Sequence, residues 1–377
     1  MKELDFQLTP PSFDHVALRA EVREFLRDAM PPGYGPSERA RSWTGFDAGF
    51  SRKLGARGWI GMTLPVEYGG QGRSAIERHI VVEELLAAGA PVAAHWIADR
   101  QSAPMILHNG TEEQRRTILP RIAAGECYFC IGMSEPDSGS DLASVRMKAE
   151  KIDGGYRLTG TKLWTTYAHE AHYMIAFCRT GPSEERHGGM SQFLVDMTLP
   201  GISVRPVLDM AGEHHFNEVR FEGVEVPASA LLGEEGAGWS QVMSELSFER
   251  SGPERFLSSF ALADEIIRAA PEGDMTDQAM GRLAAHLLVL RHMSQSVAGL
   301  LARGEKPDLH AAVVKDLGAT FEQGIPEIAR TLVRPQTADD EFNATLARLR
   351  MSAPSFSLRG GTREVLRGII ARGLGLR

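Results

Sequence analysis

The strongest constraint on this chain is a change of texture that occurs twice. Up to about residue 126 the apolar residues recur every three or four positions. In "VALRAEVREFLRDAM" Leu18, Val22, Phe25 and Leu26 share one helical face, and in "IERHIVVEELLAAGAP" Ile80, Val81, Leu85 and Leu86 do the same before a Gly/Pro stop. "TEEQRRTILPRIAAGE" opens with Thr111 as an N-cap and acids in the first turn. From Cys127 to about Leu232 the pattern becomes short alternating or β-branched runs split by turn residues: "YRLTGTKLWTTY", "YMIAFCRT", "SQFLVDM", "ISVRPVL" and "NEVRFEGVEVP". "EKIDGGYRL" has the form of a hairpin turning at Asp153-Gly154-Gly155. Helical spacing then returns. In "LAAHLLVLRHMSQSVAGLL" Leu283, Leu287, Leu290, Met293, Val297 and Leu300 step by three or four, with charge sparse enough for a bundle. "TREVLRGIIARGLG" predicts a last helix capped by Thr362 and closed by Gly373. The expected fold class is α+β: an N-terminal helical domain (1–126), a middle antiparallel β-domain (127–233) and a C-terminal helical bundle (234–377).

Bulk properties exclude several functions. The chain has 377 residues, 43% hydrophobic, with a formal net charge of −8. That charge gives no footprint for nucleic acid. No apolar run reaches the roughly 20 residues that span a bilayer, and the acidic start "MKELDFQLTPPSFD" has no apolar signal core. Three cysteines do not make a disulfide framework, so a cytoplasmic location is expected. Cys127 and Cys130 form a C-x-x-C, but "YFCI" has strand character, which would point the two sulfurs to opposite faces, and only Cys178 remains as a further thiol. His169 with His172, and His214 with His215, read as surface or loop histidines without a complete metal-ligand set.

Against this background "MSEPDSGSD" (Met133–Asp141) stands out. An apolar strand ends in serines, acids, glycine and proline, which suits either a plain loop or a loop whose hydroxyls and N–H groups hold a ligand. Four further segments, in order, decide between them: "LPVEYGGQG", "LTGTKLWTT", "FNEVRFEGVEVPASALLGEEGAGW" and "RGGTREVLRGIIARGLGL". Together with the serine loop they resemble the acyl-CoA dehydrogenases over nearly the whole chain. That resemblance implies FAD, an acyl-CoA substrate, reoxidation by an electron-transferring flavoprotein, and an oligomer that completes each flavin site across an interface.

The resemblance also implies roles for individual residues. Backbone groups at Ile131 and Met133, with the Ser134 hydroxyl, match flavin-edge contacts; Trp164 and Thr166 match residues beside the ring, and Thr362 a further cofactor contact. Ser140 matches a position near the pantetheine or phosphate of CoA, and Arg250 a substrate-side position. Glu135 and Asp141 are expected to bond loop backbone. "APVAAHWIADRQSAP" matches the acyl-pocket segment, where Trp96, Asp99 and Arg100 argue against a plain fatty chain.

Abstracting an α-proton from a thioester needs a carboxylate in a dry pocket and a donor on the thioester oxygen. Many members carry the base directly before Gly-Thr in the C-terminal loop. Here Gly360 occupies that position, so only its backbone N–H can serve, on the thioester oxygen. Other members place the base before an Arg on the first helix after the β-domain. Glu249, followed by Arg250, fits that location, with Glu245 and Glu254 as fallbacks. The R-x-x-F-G and Q-x-x-G-G segments that hold the rest of FAD in a neighbouring subunit are missing. This shortened pattern resembles subunits of bacterial heterotetrameric enzymes. Two alternatives follow: a non-catalytic partner subunit, or a flavin oxidase or monooxygenase on the same fold.

Overall fold

A computed structural model describes residues 4–7, 13–182, 184–334 and 336–376; the side chains of residue 13 and of residues 245–249 lie outside that description. Helices come first: α1 (Phe13–Ala29), α2 (Pro36–Arg39), α3 (Ala48–Ala56), α4 (Ala75–Ala87), α5 (Ala93–Ile97), α6 (Ala103–Asn109) and α7 (Glu112–Ala123). The strands follow: β1 (Phe129–Gly132), β2 (Lys148–Ile152), β3 (Gly155–Thr166), β4 (Tyr173–Arg179), β5 (Met190–Asp196), β6 (Ile202–Leu208), β7 (His214–Pro227) and β8 (Leu231–Leu232). The C-terminal helices are α8 (Gly238–Glu249), α9 (Phe260–Ala269), α10 (Asp274–Ala302), α11 (Asp308–Leu332), α12 (Asp340–Ser352) and α13 (Arg363–Gly373). No helix among the described residues is long and apolar enough to cross a membrane.

Contacts group the chain into two compact units. One comprises Met1–Phe50, Arg73–Ala93 and Leu246–Arg377; the other comprises Ser51–Gly72 and Ala94–Glu245.

The second unit is built on an eight-stranded sheet of order β6-β7-β3-β2-β4-β5-β8, with β1 added beside β4. The expected Asp-Gly hairpin is present: Ile152 pairs with Gly155, leaving Asp153-Gly154 as the turn. The pairings are antiparallel except where β4 runs parallel to β1 and to the end of β2. The forty residues between β1 and β4 contain the serine loop and the β2–β3 hairpin, which is enough chain to return β4 in the same direction. β4 and β5 are buried on both faces, whereas the edge strand β6 alternates half-buried and exposed residues. Phe193, Phe221, Leu158, Met174, Cys130 and Cys178 form the core of this sheet.

The first unit is helical. α1, α4 and α10 are joined by buried carboxylates as well as by apolar packing. Glu83 accepts from Arg19 at 2.6 Å and from Arg291 at 2.6 Å, and Glu84 accepts from Arg19 and from Arg23. In α13 Thr362 is the N-cap, accepting from the Val365 N–H. The expected stop at Gly373 moves outward by two residues. Gly373 is still helical, and the chain turns at Gly375, where φ is +75°.

Candidate active site

The loop after β1 is anchored from β3. Lys162, with none of its surface exposed, donates from Nζ to the Met133 carbonyl (3.2 Å), the Phe177 carbonyl (2.6 Å) and Glu135 Oε1 (2.9 Å). The Leu163 N–H donates to the Ser134 carbonyl at 2.9 Å. Glu135 also accepts from the N–H groups of Arg146 (2.7 Å) and Met147 (2.9 Å), so its role is to bond loop backbone. Asp141, expected to bond loop backbone as well, instead accepts from the side chains of Ser144 and Arg186, which hold its carboxyl below the ordinary value. Burial pulls the Lys162 ammonium below its ordinary value, and the Glu135 carboxylate opposes that shift. The consequence is directional. The Met133 and Ser134 carbonyls are occupied by the protein, so this half-buried segment offers a ligand its N–H groups and the Ser134 hydroxyl. Ile131 lies half-buried in β1, and Ser140 is exposed further along the loop.

On β3 the pairing with β7 shifts register between Lys162 and Thr165, and Trp164 sits in that bulge with φ +60°. A left-handed conformation costs a non-glycine residue roughly 1–2 kcal/mol. Bulges of this kind re-aim a side chain. Trp164 is 55% exposed, its ring edge-on to Phe216 at 5.8 Å. Thr166 is half-buried opposite Phe216. The strand between them is held by Asn217, which is fully buried. Its Nδ2 donates to the Thr165 carbonyl at 3.0 Å, and its Oδ1 accepts from His169 Nδ1 (3.1 Å) and His214 Nε2 (2.8 Å). His169 and His214 stack at 3.9 Å, and His172 Nδ1 accepts from the Tyr128 N–H at 3.0 Å. These histidines serve backbone and side-chain hydrogen bonding, and no cluster among the described residues could hold a metal.

Burial raises all three thiols: Cys127 to about 11, Cys178 to about 12, and Cys130 further still. Neutral buried thiols do not support redox chemistry. β1 begins at Phe129, so Cys127 precedes the strand rather than lying within it.

In the segment expected to line the acyl pocket, the helix widens into a π-turn at Ala98–Ser102. Trp96 and Arg100 are buried, the guanidinium 5.2 Å from the indole centroid, and Asp99 accepts from the Gly61 N–H at 2.6 Å.

The other predicted residues lie in the helical unit. Glu249 ends α8; its side chain and that of Glu245 lie outside the described residues. Arg250 follows, buried, and its Nε donates to the Gly360 carbonyl at 3.1 Å. Lys315, 1% exposed on α11, donates to the Gly361 carbonyl at 2.7 Å. Gly360 and Gly361 have φ of +65° and +96°, a conformation that favours glycine. Arg359 is held by Glu322 Oε2 (3.0 Å) and Ser258 Oγ (2.7 Å). Glu254 is buried in the turn Pro253–Arg255. The Arg250 side chain, directly after α8, therefore ties the end of that helix to the Gly360 loop within one unit.

Lys162, Asn217 and Lys315 were not singled out from the sequence. Lys162 carried a signal: it shares the inward face of β3 with Leu158 and Gly160. Lys315 and Glu322 fall seven apart on the buried stripe of α11.

Comparison with known proteins agrees with this architecture. Residues 12–126 match the acyl-CoA dehydrogenase N-terminal domain, 130–224 the middle domain and 236–375 the C-terminal domain. The chain is 31% identical to acyl-CoA dehydrogenase FadE29 of Mycobacterium tuberculosis, covering 94% of each. It is 32% identical to FadE34 of the same organism over 85% of this chain, but spans only 45% of that longer relative. The solved structure named Tcur3481-Tcur3483 steroid ACAD superposes with a TM-score of 0.85 at 26% identity, covering 99% of this chain and 100% of that one. The chain belongs to the acyl-CoA dehydrogenase family, whose members are FAD-dependent oxidoreductases acting on acyl-CoA thioesters.

Proposed function

We propose that this chain is a catalytic subunit of an acyl-CoA α,β-dehydrogenase in which Glu249 is the base. The observation that carries the reading is the bond from Arg250 to the Gly360 carbonyl. It brings the end of α8 against the C-terminal loop, so a carboxylate at Glu249 can replace the one that Gly360 lacks.

The residues fit the cofactor in one respect that can be checked on the structure. The loop at Met133–Ser134 has both carbonyls bonded by the protein, which turns its N–H groups and the Ser134 hydroxyl into the polar groups suited to the electron-rich edge of a flavin. Ile131, Met133 and Ser134 would hold that edge, Trp164 and Thr166 would lie beside the ring, and Thr362 would add a further contact. FAD, when bound, supplies the acceptor for the substrate's β-hydride. The rest of the chemistry belongs to the chain. Glu249 takes the α-proton as general base. The Gly360 N–H receives the charge that develops on the thioester oxygen, a kind of donor worth roughly 10²–10³ in rate. Ser140 faces the CoA side, and Arg250 acts there by fixing the Gly360 loop.

Electrons then pass to an electron-transferring flavoprotein, in the cytoplasm. The absence of R-x-x-F-G and Q-x-x-G-G favours assembly with a homologous chain over a homo-oligomer. It also supports the second reading, a non-catalytic partner. A bulky acyl group, of the kind the steroid enzyme's name indicates for that protein, suits the polar Trp96–Arg100 segment. Purified protein, with any chain that co-purifies, tests the reading. Anaerobic addition of CoA thioesters should bleach bound flavin. Bound flavin that no CoA thioester bleaches would contradict the catalytic reading.

A further inference from the structure

The Gly360–Gly361 segment is built from the two residues least able to hold a shape. Both have positive φ, and neither has a side chain to pack. Yet a donor on a reacting oxygen works only if it is already in place. The structure supplies the missing rigidity from outside the loop. Upstream, the Arg359 guanidinium is fixed by Glu322 and Ser258 and lies 4.4 Å from the Trp43 ring centroid. At the next peptide, Arg250 holds the Gly360 carbonyl. One bond does not suffice, because the torsions of Gly361 remain soft on the far side of it. The bond from Lys315 to the Gly361 carbonyl closes that freedom.

A peptide unit is planar with its C=O and N–H opposed. Fixing the Gly360 carbonyl therefore fixes the Gly361 N–H, and fixing the Gly361 carbonyl fixes the Thr362 N–H at the head of α13; the Gly360 N–H belongs to the preceding peptide, which is held between the anchored Arg359 on one side and, on the other, a Gly360–Gly361 backbone that Arg250 and Lys315 pin. Lys315 and Glu322, seven residues apart on α11 and both buried, thus brace the loop from one helical face at its two ends. A buried lysine directed at a backbone carbonyl is an expensive way to hold a surface turn. It is a reasonable way to hold a backbone donor.

We propose that Lys315 is a positioning residue for the thioester-oxygen donor of the Gly360–Gly361 loop, an inference that rests on the function proposed above. It touches neither proton nor hydride; it acts through the Gly361 carbonyl. Lys315→Met keeps most of the side-chain volume and removes the donor. Lys315→Arg keeps a cationic donor. Asp316→Asn, next along α11, removes the ion pairs to Arg363 and Arg367 without touching the glycine carbonyls, and so controls for weakened docking of α13.

The test uses the holoenzyme, with its partner chain where one co-purifies, and indoleacryloyl-CoA as probe. Polarisation of its carbonyl shifts the absorption to longer wavelength. The proposal expects Lys315→Met to bind the probe but with a diminished red shift. With a turned-over substrate kcat should fall about 10- to 100-fold, the scale of a misplaced catalytic group, while KM changes little. Lys315→Arg should recover part of the shift, and Asp316→Asn should keep it. A wild-type red shift and kcat in Lys315→Met would overturn the proposal. So would loss of cooperative melting in both Lys315 variants, which would make the lysine a core residue only. A wild-type protein that binds no CoA thioester would instead refute the functional reading, and the inference with it.

Discussion

Arg250 and Gly360 lie 110 residues apart in the chain and are joined by a 3.1 Å hydrogen bond from guanidinium Nε to carbonyl oxygen. Through it a helix end and a C-terminal loop behave as one piece. The function proposed above uses this link: it sets the chain position of Glu249 beside the loop where other members carry their base.

The anchor beneath the serine loop is open to a double-mutant cycle. Lys162→Met would leave the Glu135 carboxylate buried with only the two N–H donors of Arg146 and Met147. Breaking one side of a buried pair costs about 3–5 kcal/mol. Urea melts of Lys162→Met, Glu135→Gln and the double variant should show each single change destabilising and the double change costing less than their sum. Additive effects would mean that the pair does not act as a unit.

His79 gives the helical unit a pH dependence. It is buried on α4, 4.0 Å from Glu83 of the same helix, and faces Arg19 from α1, Arg291 from α10 and Glu254 from the turn before α9. Burial lowers its pKa from 6.5 to about 4. The unfolded chain therefore takes up a proton between pH 6.5 and 4 that the folded chain does not. Stability is full above pH 6.5 and falls as pH drops towards 4, by at most about 1.4 kcal/mol per pH unit. His79→Leu should flatten that part of the melting-temperature profile. An unchanged slope would assign the effect to other groups.

The three thiols should be silent in the native state. Cys127 and Cys178 have pKa values near 11 and 12, and all three are buried. Titration with a thiol reagent at neutral pH should give no reaction until denaturant is added, and then three equivalents. Rapid labelling of the native protein would show an opening motion in the sheet.

The order of helices, sheet and helices was legible because most elements bury one face, which leaves a period of 3.6 or 2 in the sequence, while β4 and β5, buried on both faces, read as short apolar runs. Thr111, Thr362 and the Asp153-Gly154 turn were legible for local reasons, since capping and tight turns use nearby atoms. The parallel run of β4 beside β1 was not, because it depends on forty residues of intervening path. The shift of the last stop from Gly373 to Gly375 reflects two equivalent glycines in "RGLGL", between which only packing chooses. At the site, the loops were visible as motifs, but the side chains that hold them were not. Lys162, Asn217 and Lys315 act on backbone carbonyls 29, 52 and 46 residues away. A lysine on an apolar face was the available sign.

Gly360→Ala separates backbone geometry from base chemistry. A methyl group at φ +65° costs roughly 1–2 kcal/mol in conformation. The expected result is a modest loss of stability and a lower kcat through the displaced N–H, with Glu249 still removing the proton. Deuterium at the substrate's α-carbon should then still slow flavin reduction. Loss of that isotope effect, with activity retained, would show that proton abstraction no longer limits the rate.

Glu249→Gln tests the central claim most directly. The substitution keeps size and hydrogen bonding and removes the proton acceptor. In anaerobic stopped flow with the best CoA thioester, FAD content and thioester binding should match the wild type, while the rate of flavin bleaching falls by at least roughly 10²–10⁴-fold. Bleaching at the wild-type rate would remove Glu249 as the base and direct the search to Glu245 or Glu254.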